Sequence, residues 1–207
     1  MEGGPADTRD TREAILRAAK QRFLHYGYKK TTIDEIAADA DVGKGTVYLY
    51  FGSKDEIMLT LVLEVKRNIT EQMRAIAESL ASPEEKLRRM ILACVLSVYD
   101  ACSATAHGNE LVDEVHPQLM KHPSFLEKFV GETEGQVALF ADVLREGNQK
   151  DLFAVPDPGK AAHLFFTAFM AFFPPHINRP CPHLRSRDEI EGGVRDMADF
   201  LLAGIRR

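Results

Sequence analysis

Thr31-Thr-Ile-Asp-Glu-Ile-Ala-Ala-Asp-Ala-Asp-Val-Gly-Lys-Gly-Thr-Val-Tyr-Leu-Tyr-Phe51 carries two short helical patterns either side of a turn. Thr32 and Glu35 have capping-box spacing, in which a hydroxyl and a carboxylate each satisfy an amide left unpaired at a helix start, so a helix is expected over Ile33–Ala40. Asp41-Val-Gly43 is turn chemistry, and a further short helix is expected over Lys44–Phe51. Within it Val47 and Phe51 stand at i and i+4 for burial, which leaves Lys44, Thr46 and Tyr48 on the opposite side. Upstream, Asp10 and Glu13 repeat the capping spacing. The helix they open is expected to bury Ile15, Leu16, Ala19, Phe23 and Tyr26 and to stop at Gly27.

Downstream the pattern lengthens. Gly52-Ser53 interrupts the third helix, and Ser53 with Glu56 three residues on caps a long one, Lys54–Ala81, with Ile57, Leu61, Val65, Ile69, Met73, Ile76 and Leu80 on one stripe. Pro83 opens another, with Leu87, Met90, Ile91, Cys94, Val95, Val98 and Tyr99 at three-and-four spacing; it fades around Thr105–Gly108. A short helix Glu110–His116 is expected to end before Pro117. A long one follows over 124–150, then Pro158–Phe173, then one from Ser186 to the end. No segment alternates as a half-buried strand would, so the fold reads as all-α: a three-helix domain over 1–53 and a larger helical domain over 54–207.

The 207 residues are 45% hydrophobic and 28% charged, the composition of an ordinary globular chain. A net charge of -5 argues against indiscriminate coating of nucleic acid, while leaving a small basic face possible. The longest apolar run, Leu164–Pro175, is too short for a bilayer and the N-terminus lacks a signal-peptide core, so a cytoplasmic location without membrane attachment is expected. Three cysteines, with Cys94 and Cys102 two turns apart on one helix, make a disulfide framework unexpected.

Two short helices and a turn, backed by a packing helix, are the physical minimum for offering one helix to a major groove. On that reading Lys44 donates to guanine edges or phosphates, and Gly45 lets the backbone approach DNA closely. The hydroxyls of Tyr48 and Tyr50 reach phosphate oxygens. Lys54 and Thr32 stand at helix starts, where an ammonium or hydroxyl and free amides can share one phosphate. The same residues also fit a plain helical subdomain with solvated lysines and half-buried tyrosines.

Rival chemistries are thinly supported. Gly43-Lys-Gly-Thr46 lacks the first glycine of a phosphate loop, since Ala38 stands there, and no strand precedes it. His176, Cys181 and His183 have ligand atoms for a metal or a redox thiol, but irregular spacing among prolines. No cofactor is implied. A helical enzyme and a non-regulatory interaction module remain the alternative classes.

Thr31-Thr-Ile-Asp-Glu-Ile-Ala37 followed by Val42-Gly-Lys-Gly-Thr-Val-Tyr-Leu-Tyr-Phe-Gly-Ser-Lys-Asp-Glu56 resembles the helix-turn-helix signature of the tetracycline-repressor (TetR) family, over about Ala14 to Leu61. The resemblance implies an all-α homodimeric regulator, usually a repressor released from a pseudo-palindromic operator by a small-molecule effector. It places Thr32, Lys44, Gly45, Thr46, Tyr48, Tyr50 and Lys54 on DNA-contact positions. Two departures stand out. Gly43 replaces a capping serine or threonine, and Leu49 sits where some members have an aromatic or polar residue.

Pro158–Phe173 is apolar nearly all round and the last helix carries Ile190, Val194, Met197, Ala198, Leu201 and Ile205, so these two helices, about 158–173 and 186–206, are expected to form the interface of a two-fold four-helix bundle. The effector site is expected among the helices of 61–173, with Tyr99, Cys102, His107, Asn109, Phe129, His163 and Phe166 as candidates and a small apolar or aromatic molecule as its ligand.

Overall fold

The computed structural model describes residues 5–103, 107–173 and 186–207, except for the side chains of residues 5–7, 102, 103, 109 and 110. The described residues form α1 (Pro5–Tyr26), α2 (Ile33–Asp39), α3 (Lys44–Tyr50), α4 (Lys54–Ala77), α5 (Pro83–Ser103), α6 (Gly108–Lys121), α7 (Pro123–Gln149), α8 (Pro158–Phe169) with a 3-10 turn Met170–Phe172, and α9 (Arg187–Ala203). Their only extended pairing is an isolated bridge, Phe153 with Arg206. The chain is all-α.

Two compact units divide it: residues 1–64 with 102–126, and residues 65–101 with 127–207. In the first, α1 packs on α2 and α6, and α2 on α3. Ile15, Phe23, Ile36, Val47, Ile57 and Met58 are wholly buried there. Tyr26, expected inside, is 58% exposed, with the Arg22 guanidinium 5.1 Å over its ring. Tyr28 takes the interior place. The reason is Gly27, whose left-handed φ of 88° turns the chain under the helix and brings Tyr28 edge-on to Phe23 at 5.3 Å.

A second difference concerns α6, which continues through Pro117 to Lys121. The proline removes one intrahelical hydrogen bond, and burial of the apolar Leu119 in the following turn works against that loss. Downstream in α4, Ile69 and Met73 are buried as the stripe requires, but the helix stops at Ala77 and Leu80 lies fully exposed beyond it.

The second unit gathers the rest of α4 with α5, α7, α8 and α9 around Met73, Leu87, Met90, Phe140, Leu144 and Phe165. Lys86, itself buried, places Nζ 2.8 Å from Glu146. After α7 the chain doubles back through a short hook. Asn148 holds it by donating to the Val155 carbonyl at 2.7 Å and accepting from the Val155 amide at 3.0 Å. The α9 stripe is divided: Ile190, Val194 and Ala198 are buried inside the second unit, while Phe200, outside that stripe, is 76% exposed. Leu164 and Met170 are also exposed. The apolar side chains these helices leave exposed therefore differ from the periodic stripe, because the core of the unit takes up most of the stripe.

Candidate nucleic-acid interface

The turn between α2 and α3 is held from both sides. Thr32 caps α2 as expected: its hydroxyl accepts from the Glu35 amide, and the Glu35 carboxylate accepts from the Thr32 amide at 2.8 Å. The Thr32 hydroxyl also donates to that carboxylate at 2.9 Å. The hydrogen bonds from Thr32 hold Glu35 below the usual carboxylate range. Arg22 of α1 reaches across to Asp39 at 2.5 and 2.8 Å and to Glu35 at 3.2 Å, tying α2 to the packing helix and depressing Asp39 as well. Asp41 then adopts a left-handed φ of 55°, which aspartate tolerates better than most side chains.

Gly43 caps α3 with extended backbone and no side-chain bond, as its lack of a hydroxyl requires. Beyond it the helix is two-faced. Val47 is wholly buried, whereas Tyr48 is 50% and Leu49 84% exposed. Lys44 and Gly45 are exposed, and Thr46 and Tyr50 half-buried. A Cβ built at Gly45 meets no atom within 4 Å. Nothing inside the protein requires a glycine there. Lys44 donates to Asp34 at 2.9 Å, an exposed pair that raises the lysine pKa and that costs little to exchange for another anion.

Lys54 has a more structural setting than its position predicts. Its Nζ donates to the carbonyls of Tyr28 at 2.7 Å and Thr31 at 2.8 Å and lies 4.4 Å over the Tyr28 ring. Burial pushes its pKa down. One of its three hydrogens remains for a phosphate. Ser53 caps α4 by accepting from the Glu56 amide at 3.1 Å, while the Glu56 carboxylate reaches one residue further back, to the Gly52 amide at 2.7 Å. Leu49 is the outward residue that the motif alone leaves without a role. Two positions from Val47 on a 3.6-residue helix it must face away from the core, and that offset is the signal for it.

Residues 15–61, which hold this whole arrangement, match the family model for bacterial regulatory proteins of the tetR family. This segment is similar to the regulatory proteins of the tetR family. Over 68 residues the chain is 46% identical to an uncharacterized HTH-type transcriptional regulator, YhgD, of Bacillus subtilis (strain 168), covering 31% of this chain and 36% of that one. It is 29% identical over 136 residues to the fatty acid metabolism regulator protein of the same organism, 65% of this chain and 66% of that protein. The match thus spans little more than a third of the first relative and just under two thirds of the second. Two solved structures share the fold across nearly all of both chains. A tetR-family regulator from Mesorhizobium loti aligns with TM-score 0.71 at 21% identity, covering 97% of this chain and 98% of that one. The regulator FadR from Bacillus subtilis, in complex with stearoyl-CoA, aligns with TM-score 0.68 at 20% identity, covering 94% and 99%. Residues 15–61 thus share their helix-turn-helix segment with tetR-family proteins, and the chain as a whole shares its fold with the two solved structures.

The ligand candidates fall in different places. Tyr99 and Phe166 pack against the core of the second unit, and Phe129 faces the Lys66 ammonium at 4.4 Å. His163 is exposed, 4.0 Å from Glu134. His107 stands at the start of α6 in the first unit, so it does not share a unit with those four. The side chains of Cys102 and Asn109, and all of His176, Cys181 and His183, lie outside the described residues. Among the described residues no cluster of three metal-ligating side chains occurs, and no helix is long and apolar enough to cross a membrane.

Proposed function

We propose that this regulator is a ligand-responsive repressor. It binds a pseudo-palindromic operator as a homodimer through residues 1–53 and is released when a small effector occupies the helical domain of residues 54–207. It works by binding, inside the cytoplasm, and turns nothing over.

The observation that carries the reading is the outward face of α3. Tyr48 and Leu49 project while Val47 anchors the helix, and the site of a Gly45 side chain is open. A helix so arranged presents base-reading groups and a close backbone to a major groove. Lys44 and Thr46 supply donors for base edges or phosphates, Tyr50, Thr32 and Lys54 flank them for phosphate oxygens, and Leu49 offers an apolar contact to a thymine methyl. Leu164, Met170 and Phe200 are apolar side chains of α8, its 3-10 turn and α9 left in water, which supports pairing with a second copy through those helices. The bound stearoyl-CoA of one structural neighbour and the fatty-acid role in the name of one relative support an apolar, acyl-bearing effector.

Selection of bound duplexes from random DNA should enrich a sequence with two-fold symmetry. Lys44→Ala and Tyr48→Ala should each weaken binding to it by about 1–3 kcal/mol. Failure to enrich any symmetric sequence at moderate salt refutes operator reading. Equilibrium sedimentation should find a dimer at micromolar concentration, shifted toward monomer by Phe200→Glu.

A further inference from the structure

Inside the second unit a polar cluster lies among apolar side chains. Gln136 of α7 is 1% exposed and Thr70 of α4 7% exposed. The Gln136 amide donates to Thr70 Oγ1 at 3.1 Å and to the Lys66 carbonyl at 3.4 Å. Thr70 donates to the Glu132 carboxylate at 3.0 Å, and that carboxylate is taken up by Arg67 at 3.5 Å. One member is poorly satisfied. Among the described residues the half-buried Lys66 ammonium makes a single long hydrogen bond, 3.4 Å to the Gln136 amide oxygen, and otherwise faces the Phe129 ring at 4.4 Å. Among the described residues the cluster's one carboxylate, Glu132, pairs with Arg67 rather than with Lys66.

An ammonium removed from water needs an anion or several good acceptors, and a neutral amide at long range supplies neither. Consistent with this, burial lowers the Lys66 pKa, against a weaker opposing pull from Cys94 and Glu132. The neighbouring thiol is no substitute anion, since burial pushes Cys94 up to about 11. The ring of Phe129 stabilises the cation without neutralising it. Around the cluster the unit offers apolar side chains, Ile69, Met73 and Val95 buried and Val98 and Tyr99 partly so.

We infer that Lys66 is the anchor for the anionic head of an organic carboxylate whose apolar body lies among the side chains of α4, α5 and α7. One ammonium balances one negative charge, which favours a monoanionic carboxylate over a polyphosphate. Gln136 acts as a positioning residue, because its amide holds the Lys66 carbonyl and Thr70 together while its oxygen aims the ammonium. The inference rests on the effector-responsive reading above and specifies the effector's chemistry.

The test is calorimetric titration of the full-length protein with dodecanoate and with 2-naphthoate, each beside its neutral primary amide. At least one acid should bind about tenfold or more tighter than its amide, as a charge-assisted hydrogen bond in a partly buried site predicts. Lys66→Met should abolish that preference while melting no lower than the parent, since it removes a poorly solvated charge. Should Lys66→Met fail to fold, Lys66→Gln carries the same comparison. Equal binding of acid and amide, no binding of either acid, or a preference that survives the substitution overturns the inference. Operator binding without ligand is measured on the same preparations. Intact operator binding with no acid preference removes the carboxylate site alone, whereas loss of any symmetric operator removes the regulator reading itself.

Discussion

A methyl group added at Gly45 would touch no atom of the protein, and one added at Gly147 would lie 1.9 Å from the Phe153 ring. The two glycines therefore separate function from packing. Gly45→Ala should leave thermal stability within about 0.5 kcal/mol, or raise it, because alanine is the better helix former. The same change should weaken operator binding by holding the backbone off the DNA. Melting and DNA titration of one sample check this together: the first should hold or rise while the second falls. Gly147→Ala should cost about 1–3 kcal/mol or more in denaturant unfolding, since a ring buried at 1% exposure has nowhere to move. Spacing alone predicts neither result. Gly45 lies in a recognizable motif, but Gly147 becomes special only when the hook after α7 folds Phe153 back onto it.

Helix ends carry most of what is legible in the sequence at the scale of elements. The Thr32–Glu35 box caps α2 where its spacing places it, and α9 follows Ser186, which forms a second box with Glu189. α2 is seven residues long and cannot persist by propensity, so its ends and its packing hold it. Thr32→Ala should lower stability by about 1 kcal/mol, and Gly43→Ser should raise it by a few tenths, both read from chemical denaturation. The serine fits, for a Cβ at Gly43 meets only Thr46 Oγ1 at 3.8 Å. Other boundaries depart from their local signals. Pro117 has the chemistry of a stop, yet α6 continues through it and buries Leu119 in the next turn. Tyr26 continues the α1 periodicity, yet Gly27 diverts the chain and Tyr28 fills the interior space.

For the molecule as a whole, acid titration follows from how the carboxylates are held. Glu35 is depressed by hydrogen bonds from Thr32, Asp39 by Arg22, Glu84 by Arg206 and Glu191 by Arg195. Burial opposes the shift of Glu146, but Lys150 and Lys86 still bring it down. Each binds a proton less readily folded than unfolded, so the unfolded chain takes up more protons as pH falls. Stability should be fully present above the ordinary carboxylate range of about pH 4–5 and decline as pH drops below it. Denaturant midpoints at about pH 6, 4.5 and 3.5, which bracket that range, check this, and a midpoint that does not fall contradicts it. Glu35 and Asp39 belong to the unit holding α3, and Glu84, Glu146 and Glu191 to the other, so both units contribute.

The sequence by itself determined the helical class, the cap at Thr32, the bare cap at Gly43 and the burial of Val47 in α3. Those features depend on residues three or four apart, which a helix brings together whatever surrounds it. Tertiary structure alone decided that Lys54 spends two donors on carbonyls 23 and 26 residues upstream, and that Ile190, Val194 and Ala198 fill the core of the second unit. It also placed Lys66 beside Gln136, 70 residues away, with a neutral amide where an anion would balance it. Periodicity identifies which residues will be buried, but a partner contributed by a distant helix has no local signature, and whether a buried charge is satisfied depends on that partner.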